Sequence, residues 1–157
     1  MNLFFRILLI GLCLNIPELT QAAEKLSITN YTVHDGLSQN TVRSMMQDSQ
    51  GFMWFGTSNG LNRYDGHHFH IIQTSDGGNA LDRRFNYIMQ DSFGYIWLLT
   101  QSGNCYCYDP TTEKIRNCVG NSEKSRFRNM LVTNDDNVWL WGDNGCAMIS
   151  RKKDNSF

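Results

Sequence analysis

Several groupings of side chains in this sequence have types and spacing that chemistry uses. His67, His68 and His70 lie close to Asp65. In a strand, His68 and His70 share a face, and two imidazoles with a carboxylate make a three-ligand zinc site with an open position. The competing reading is a solvated outer strand, and no metal is assigned. Asp48 and Asp91 have the type, though not yet the geometry, of the paired carboxylates of glycoside hydrolysis. Arg83 and Arg84, with Asn40 and Asn86, offer planar fork donors and amides that suit sugar hydroxyls and carboxylates. His34-Asp35 has no partner serine in a recognisable nucleophile elbow. No catalytic residue and no cofactor are assigned.

The elements that would position these groups repeat along the chain. Met46-Gln47-Asp48-Ser49-Gln50-Gly51-Phe52-Met53-Trp54 matches Met89-Gln90-Asp91-Ser92-Phe93-Gly94-Tyr95-Ile96-Trp97 without a gap, 43 residues later. Val132 to Trp139 is a weaker third copy, with Trp139 standing 42 residues after Trp97. Gly60, Gly103 and Gly145 follow at the same spacing. A period of this size is that of one four-stranded propeller blade. Arg43–Gln47, Phe52–Thr57, Leu61–Asp65 and His68–Gln73 read as four strands, separated by turns at Asp48–Gly51, Ser58–Gly60 and Asp65-Gly66.

Placed on that frame, Asp48 and Asp91 lie one blade apart in equivalent turns. They are therefore read as structural, with Gly51, Gly94 and the glycines above. The strands Phe52–Gly56 and Val138–Gly142 are apolar on both faces, as expected for sheets stacked between neighbours. Trp54, Trp97 and Trp139 are read as contacts between blades. Thr74–Arg84 reads as a long polar connection before the second blade. Such rim loops usually carry recognition, so Asn40, Arg83, Arg84 and Asn86 are the candidate ligand-binding residues.

Composition narrows the function classes. The chain has 157 residues, 41% of them hydrophobic and 12% aromatic, which is the make-up of a folded, β-rich domain. Its formal net charge of −1 leaves no basic surplus for nucleic acid. Met1–Ala22 has a basic start at Arg6, a short apolar run from Ile7 to Leu14, Pro17, and small residues at Thr20 and Ala22. It reads as a cleaved signal peptide rather than a membrane span, and so implies a periplasmic location. Leu12 before Cys13 argues against a lipoprotein signal. Cys105, Cys107, Cys118 and Cys146 remain after cleavage and allow three pairings, among which the sequence does not choose. Cys105 and Cys107 share a strand face, where neighbours rarely bond to each other. They are read as small buried apolar groups, and the C-x-C pair lacks a second pair for zinc.

The run Val33-His34-Asp35-Gly36-Leu37-Ser38-Gln39-Asn40-Thr41-Val42, then Gln47-Asp48 to Thr57, then Asn59-Gly60-Leu61-Asn62-Arg63-Tyr64-Asp65-Gly66, resembles the two-component regulator propeller repeat. The second copy departs at Leu98-Leu99-Thr100, where the first has Phe-Gly-Thr, and the third keeps the Trp, the Gly and the turn chemistry. The resemblance spans about Tyr31 to Ile149. It implies the N-terminal periplasmic sensor propeller of Bacteroides-type hybrid two-component histidine kinases. Those proteins bind glycan-derived ligands and continue into a membrane helix and a kinase. No kinase motif or later apolar span occurs here, so the resemblance implies a truncated sensor, a gene fragment or a short relative.

The expected architecture is all-β: a signal peptide over 1–22, a lead-in segment over 23–41, and an incomplete propeller over 42–157. Its four-stranded antiparallel blades are expected at about 42–73, 85–118 and 127–157, two and a half blades in an open arc. The expected partners are an oligosaccharide ligand, and the remaining blades or another protein chain along the open edges. No nucleic acid and no membrane span in the mature chain are expected. A non-catalytic structural or protein-interaction module is the alternative function. A carbohydrate-active enzyme fragment is a more distant one. The hairpin is similar to the Asp-box of sialidases, but its Asp–Gly spacing is one residue longer and no arginine triad is recognisable.

Overall fold

In the computed structural model, the residues described are 26–73, 75–76, 79–80, 83–119 and 127–150. The expected signal peptide therefore lies outside the described residues. Among the described residues, no helix is long and apolar enough to cross a membrane.

Three antiparallel meanders follow one another along the chain. The first contains β1 (Val42–Gln47), β2 (Met53–Thr57), β3 (Gly60–Tyr64) and β4 (Phe69–Ile72), in that spatial order. A short hairpin follows, with β5 (Ser75–Asp76) paired to β6 (Asn79–Ala80). The long polar connection thus contains a small ladder of its own. The second meander contains β7 (Phe85–Gln90), β8 (Ile96–Thr100), β9 (Cys105–Asp109) and β10 (Lys114–Asn117), again in sequence order. The third contains β11 (Phe127–Val132), β12 (Val138–Gly142) and β13 (Gly145–Ile149). The only helical element among the described residues is one 3₁₀ turn, Val33–Asp35. The fold is all-β, and the strands fall where the sequence pattern puts them.

The sheets stack face to face. β1 and β2 pack on β7, and β7 and β8 pack on β11. One core lies between the first and second sheets and includes Trp54, Leu61, Phe85, Ile88, Leu98 and Tyr108. Another lies between the second and third and includes Trp97, Leu99, Cys105, Cys107, Met130 and Leu140. The middle sheet is covered on both faces, so all of β8 is buried and its sequence, Ile96-Trp97-Leu98-Leu99-Thr100, need not alternate.

β12 differs from the expectation. Val138 and Leu140 are fully buried, but Trp139 is 39% and Trp141 41% exposed. Its apolar sequence suits a strand covered on both faces, and among the described residues only one face is covered. The repeat shows why. Trp54 looks into the core shared with the second sheet, and Trp97 into that shared with the third. Trp139 occupies the same register one sheet later and looks away from the second sheet.

The first sheet is covered on its other face by the lead-in segment. Thr32 and Asp35 form a capping box around the 3₁₀ turn, and Leu37 is buried. Asn62, fully buried, accepts from the Ser38 amide at 2.9 Å and donates to the Ser38 hydroxyl at 2.9 Å. Ser38 Oγ lies 2.8 Å from Thr57 Oγ1. A buried amide this well partnered fixes register, because leaving it unpaired is costly. Tyr31, Tyr64, Phe69 and Phe55 add a chain of tilted and edge-on ring contacts.

Candidate functional site

The antiparallel pairing gives the stacked sheets two rims of different character. One rim holds the β1–β2, β7–β8 and β11–β12 turns. Asp48 Oδ1 accepts the amides of Gln50 and Phe52, both at 2.9 Å, while Oδ2 accepts the Trp54 indole N–H at 2.7 Å. Asp91 repeats this with Phe93, Tyr95 and Trp97 at 3.0, 3.0 and 2.9 Å. Each carboxylate thus shapes its hairpin and aims its tryptophan into the next interface. Both carboxylates accept bonds on both oxygens within their own hairpins, one sheet apart, and do not face each other across a site.

The third turn is built from other residues. Thr133 stands where the aspartates stood, and its amide donates to the Asn137 carbonyl at 2.9 Å. Gly51 and Gly94 take φ of 92° and 89°, and Asp136 takes the same left-handed place at φ 60°. A non-glycine residue there is uncommon, and Asp is among the types that tolerate it. Asp136 also reaches back one sheet, accepting the Ser92 amide at 2.8 Å and hydroxyl at 2.7 Å. Gln90 does the same one sheet earlier, accepting the Ser49 amide at 2.8 Å.

A hollow of about 230 Å3 opens on this rim between the first two sheets, lined by Arg63, Phe52, Gln50, Phe93, Tyr95 and Asp109 among others. The Arg63 guanidinium stands 4.9 Å over the Phe52 ring. The sequence reading did not single out Arg63. Its signal was present in Asn62-Arg63-Tyr64-Asp65, where Arg63 is on the same strand face as Leu61 and so points toward the second sheet.

The opposite rim holds the starts of β1, β7 and β11. Arg83 and Arg84 immediately precede β7, and Asn86 is its second residue. The Arg83 and Arg84 carbonyls accept the amides of Gly60 at 3.0 Å and Gln101 at 2.8 Å, which fixes their backbone to both neighbouring turns. Both arginines are exposed and Asn86 is half-buried. Asn40 is one sheet earlier, and its side-chain oxygen accepts the Val33 amide at 2.8 Å, so it organises the lead-in. The structure thus sets all four on one rim but not into one pocket. A second hollow, of about 320 Å3, is on this rim too, and is lined by Gln101, Ser102, Phe127 and Arg128.

The histidine cluster forms a turn. Asp65 Oδ1 accepts the His67 and His68 amides at 2.8 and 2.7 Å, and Oδ2 lies 3.2 Å from His70 Nε2. Those bonds hold the Asp65 carboxyl well below the usual carboxylate range. Among the described residues, no group of three or more His, Cys, Asp or Glu side chains is placed to hold a metal.

Known proteins share both the repeat and the fold. Residues 36–59 match the family model described as two component regulator propeller. Histidine kinase P4 of Formosa agariphila is 46% identical over 46 residues, which are 29% of this chain and 3% of the kinase. The extracellular domain of the hybrid two component system BT3049 from B. thetaiotaomicron superposes with a TM-score of 0.63 at 22% identity, over 81% of this chain and 18% of that one. That of BT4673 from the same organism gives 0.66 at 19% identity, over 83% and 18%. At these identities the likeness to the solved structures is one of fold, and this chain spans less than a fifth of either. Residues 36–59 are thus similar to the two component regulator propeller repeat, and the three stacked antiparallel meanders share the fold of the solved extracellular domains.

Proposed function

We propose that this chain is part of the periplasmic sensor propeller of a hybrid two-component regulator, that it is exported, and that it performs recognition rather than catalysis. The observation that carries this reading is the hairpin geometry. The aspartates that most resemble a hydrolytic pair are bonded within their own turns, which leaves a rigid scaffold whose free chemistry is on its rims. The local identity to a histidine kinase supports the signalling context. The ligand class is a glycan-derived oligosaccharide, met by the rim that carries Arg83, Arg84 and Asn86, with Asn40 holding the lead-in beside it. Guanidinium forks and amides on a fixed backbone suit hydroxyl and carboxylate recognition.

Calorimetric titration of the exported chain with a panel of neutral and acidic oligosaccharides tests the reading. Saturable heat with at least one sugar is expected, weakened at least tenfold by Arg83→Ala combined with Arg84→Ala. No heat from any sugar, or binding that ignores both substitutions, would set the site aside. Hydrolysis of a glycan by the purified chain would overturn the non-catalytic assignment.

A second reading, as a module that binds protein, is favoured by one observation. Leu131, Trp139, Trp141 and Met148 leave a band of exposed apolar surface on the third sheet. Apolar patches of this kind mark interaction surfaces. The partner expected there is a further propeller sheet.

A further inference from the structure

The hollow between the first two sheets holds a polar group that the fold leaves unanswered. Arg63 Nε is buried and has no hydrogen-bond partner. Among the described residues it is the one buried side-chain nitrogen or oxygen in that condition. A buried donor without a partner is costly, and folded proteins keep few of them. Strand pairing sets Arg63 between Trp54 and His70, in the interior of the first sheet. One face of its guanidinium is taken by the Phe52 ring, 4.9 Å away. Two carboxylates also line the hollow, and neither answers Arg63. Asp48 is bonded on both oxygens within its own hairpin. Asp109 accepts the Thr111 and Thr112 amides at 2.9 and 3.4 Å and the Thr112 hydroxyl at 2.8 Å. Among the described residues, no ion pair joins either of them to Arg63.

We infer that this hollow is a second binding site, for one neutral polyhydroxylated ring such as a single sugar residue, with Arg63 as its principal donor. Charge selects the ligand. The two carboxylates outweigh the one guanidinium, so an anion is repelled as well as attracted. A neutral ring brings oxygens that accept from the Arg63 N–H groups and hydroxyls that donate to carboxylate oxygen. Each carboxylate, with three bonds made, has room for about one more. The apolar C–H face of such a ring suits the aromatic side chains at the mouth, Tyr95 and Phe93, the latter 56% exposed. The volume of about 230 Å3 is below the range of about 300–1,000 Å3 that drug-sized ligands occupy, which fits one ring rather than a chain. The site is on the rim opposite Arg83 and Arg84 and uses none of the residues of the reading above, sharing with it only the ligand class.

The test is NMR on the isotope-labelled full chain. The probes are the methyl glycosides of glucose, galactose and mannose, and myo-inositol, with glucuronate and inorganic phosphate as charged controls. The Arg63 Nε–H resonance is assigned by its loss in Arg63→Lys. It is expected to shift saturably with at least one neutral probe and to stay in place with both charged ones. Saturation transfer to that probe should weaken at least tenfold in Arg63→Lys, which keeps the charge but loses the planar fork. It should weaken several-fold in Phe93→Ala, whose exposed position keeps this arm free of any folding defect. A resonance that no neutral probe moves would mean that the hollow holds water alone, and would overturn the inference. Tighter binding of glucuronate or phosphate, or neutral binding that Arg63→Lys retains, would overturn it too. The oligosaccharide titration reads Arg83 and Arg84 while this one reads Arg63, so either site can fail without the other.

Discussion

One carboxylate per hairpin sets the local architecture. Asp91 is buried and takes three donors, including the indole of a fully buried tryptophan. Asp91→Ala strands two turn amides and the Trp97 N–H, and a buried unsatisfied donor costs about 1–3 kcal/mol. Water can reach the turn amides more easily than the indole, so a total of about 2–3 kcal/mol is expected. Urea unfolding monitored by Trp fluorescence measures it, and a loss below about 0.5 kcal/mol would show that the turn does not depend on the carboxylate. Thr133→Ala is the internal comparison. Thr133 donates its hydroxyl to the Asn137 carbonyl at 3.0 Å and contacts Asp135, and it supports no indole. Its loss is expected to be smaller, about 1 kcal/mol or less.

Strands and turns were legible in the sequence because the repeat couples a turn residue to a core residue at fixed distance. Asp48 to Trp54 and Asp91 to Trp97 are each bonded pairs in the structure. What the sequence hid is how closely neighbouring sheets approach. Gly56, Leu99 and Trp141 are equivalent positions on β2, β8 and β12. A Cβ on Gly56 would lie 2.9 Å from the Phe85 carbonyl oxygen and 3.0 Å from both Phe85 Cβ and Ile88 Cδ1. β2 therefore meets β7 almost backbone to side chain, whereas β8 fills the same register with Leu99. Reading Phe-Gly-Thr against Leu-Leu-Thr shows the substitution but not the spacing. Gly56→Ala presses a methyl on a carbonyl that cannot rotate away, and overpacking of this kind costs about 1–3 kcal/mol. Thermal denaturation should show the drop, and an unchanged midpoint would mean that the two sheets can separate locally at no cost. Asn40 and Asn86 lie near the starts of corresponding strands, but the bond from Val33 to Asn40 depends on a 3₁₀ turn that no period announces.

For the molecule as a whole, the stacking rule has a consequence at its last described sheet. Trp54 and Trp97 are each fully buried by the sheet that follows theirs. Trp139 and Trp141 present an equivalent surface, flanked by Leu131 and Met148, with 39–49% of each residue exposed. This chain spans 18% of each of the solved extracellular domains that share its fold, and a further sheet stacked on this face would cover it. In the chain of 157 residues studied alone, the driving force for covering it remains, at about 25 cal/mol for each Å2 of apolar surface removed from water. Among the described residues β13 pairs with β12 alone, and its other edge adds backbone donors and acceptors open to pairing. The isolated chain should therefore self-associate with concentration in sedimentation velocity. Trp139→Ser combined with Trp141→Ser should return it to a monomer while leaving the denaturation midpoint nearly unchanged, because Val138 and Leu140 carry the buried face of β12. A wild-type chain that stays monomeric at high concentration would show that this face is not a sheet-docking surface. Association that survives the double substitution would move the contact to a strand edge instead.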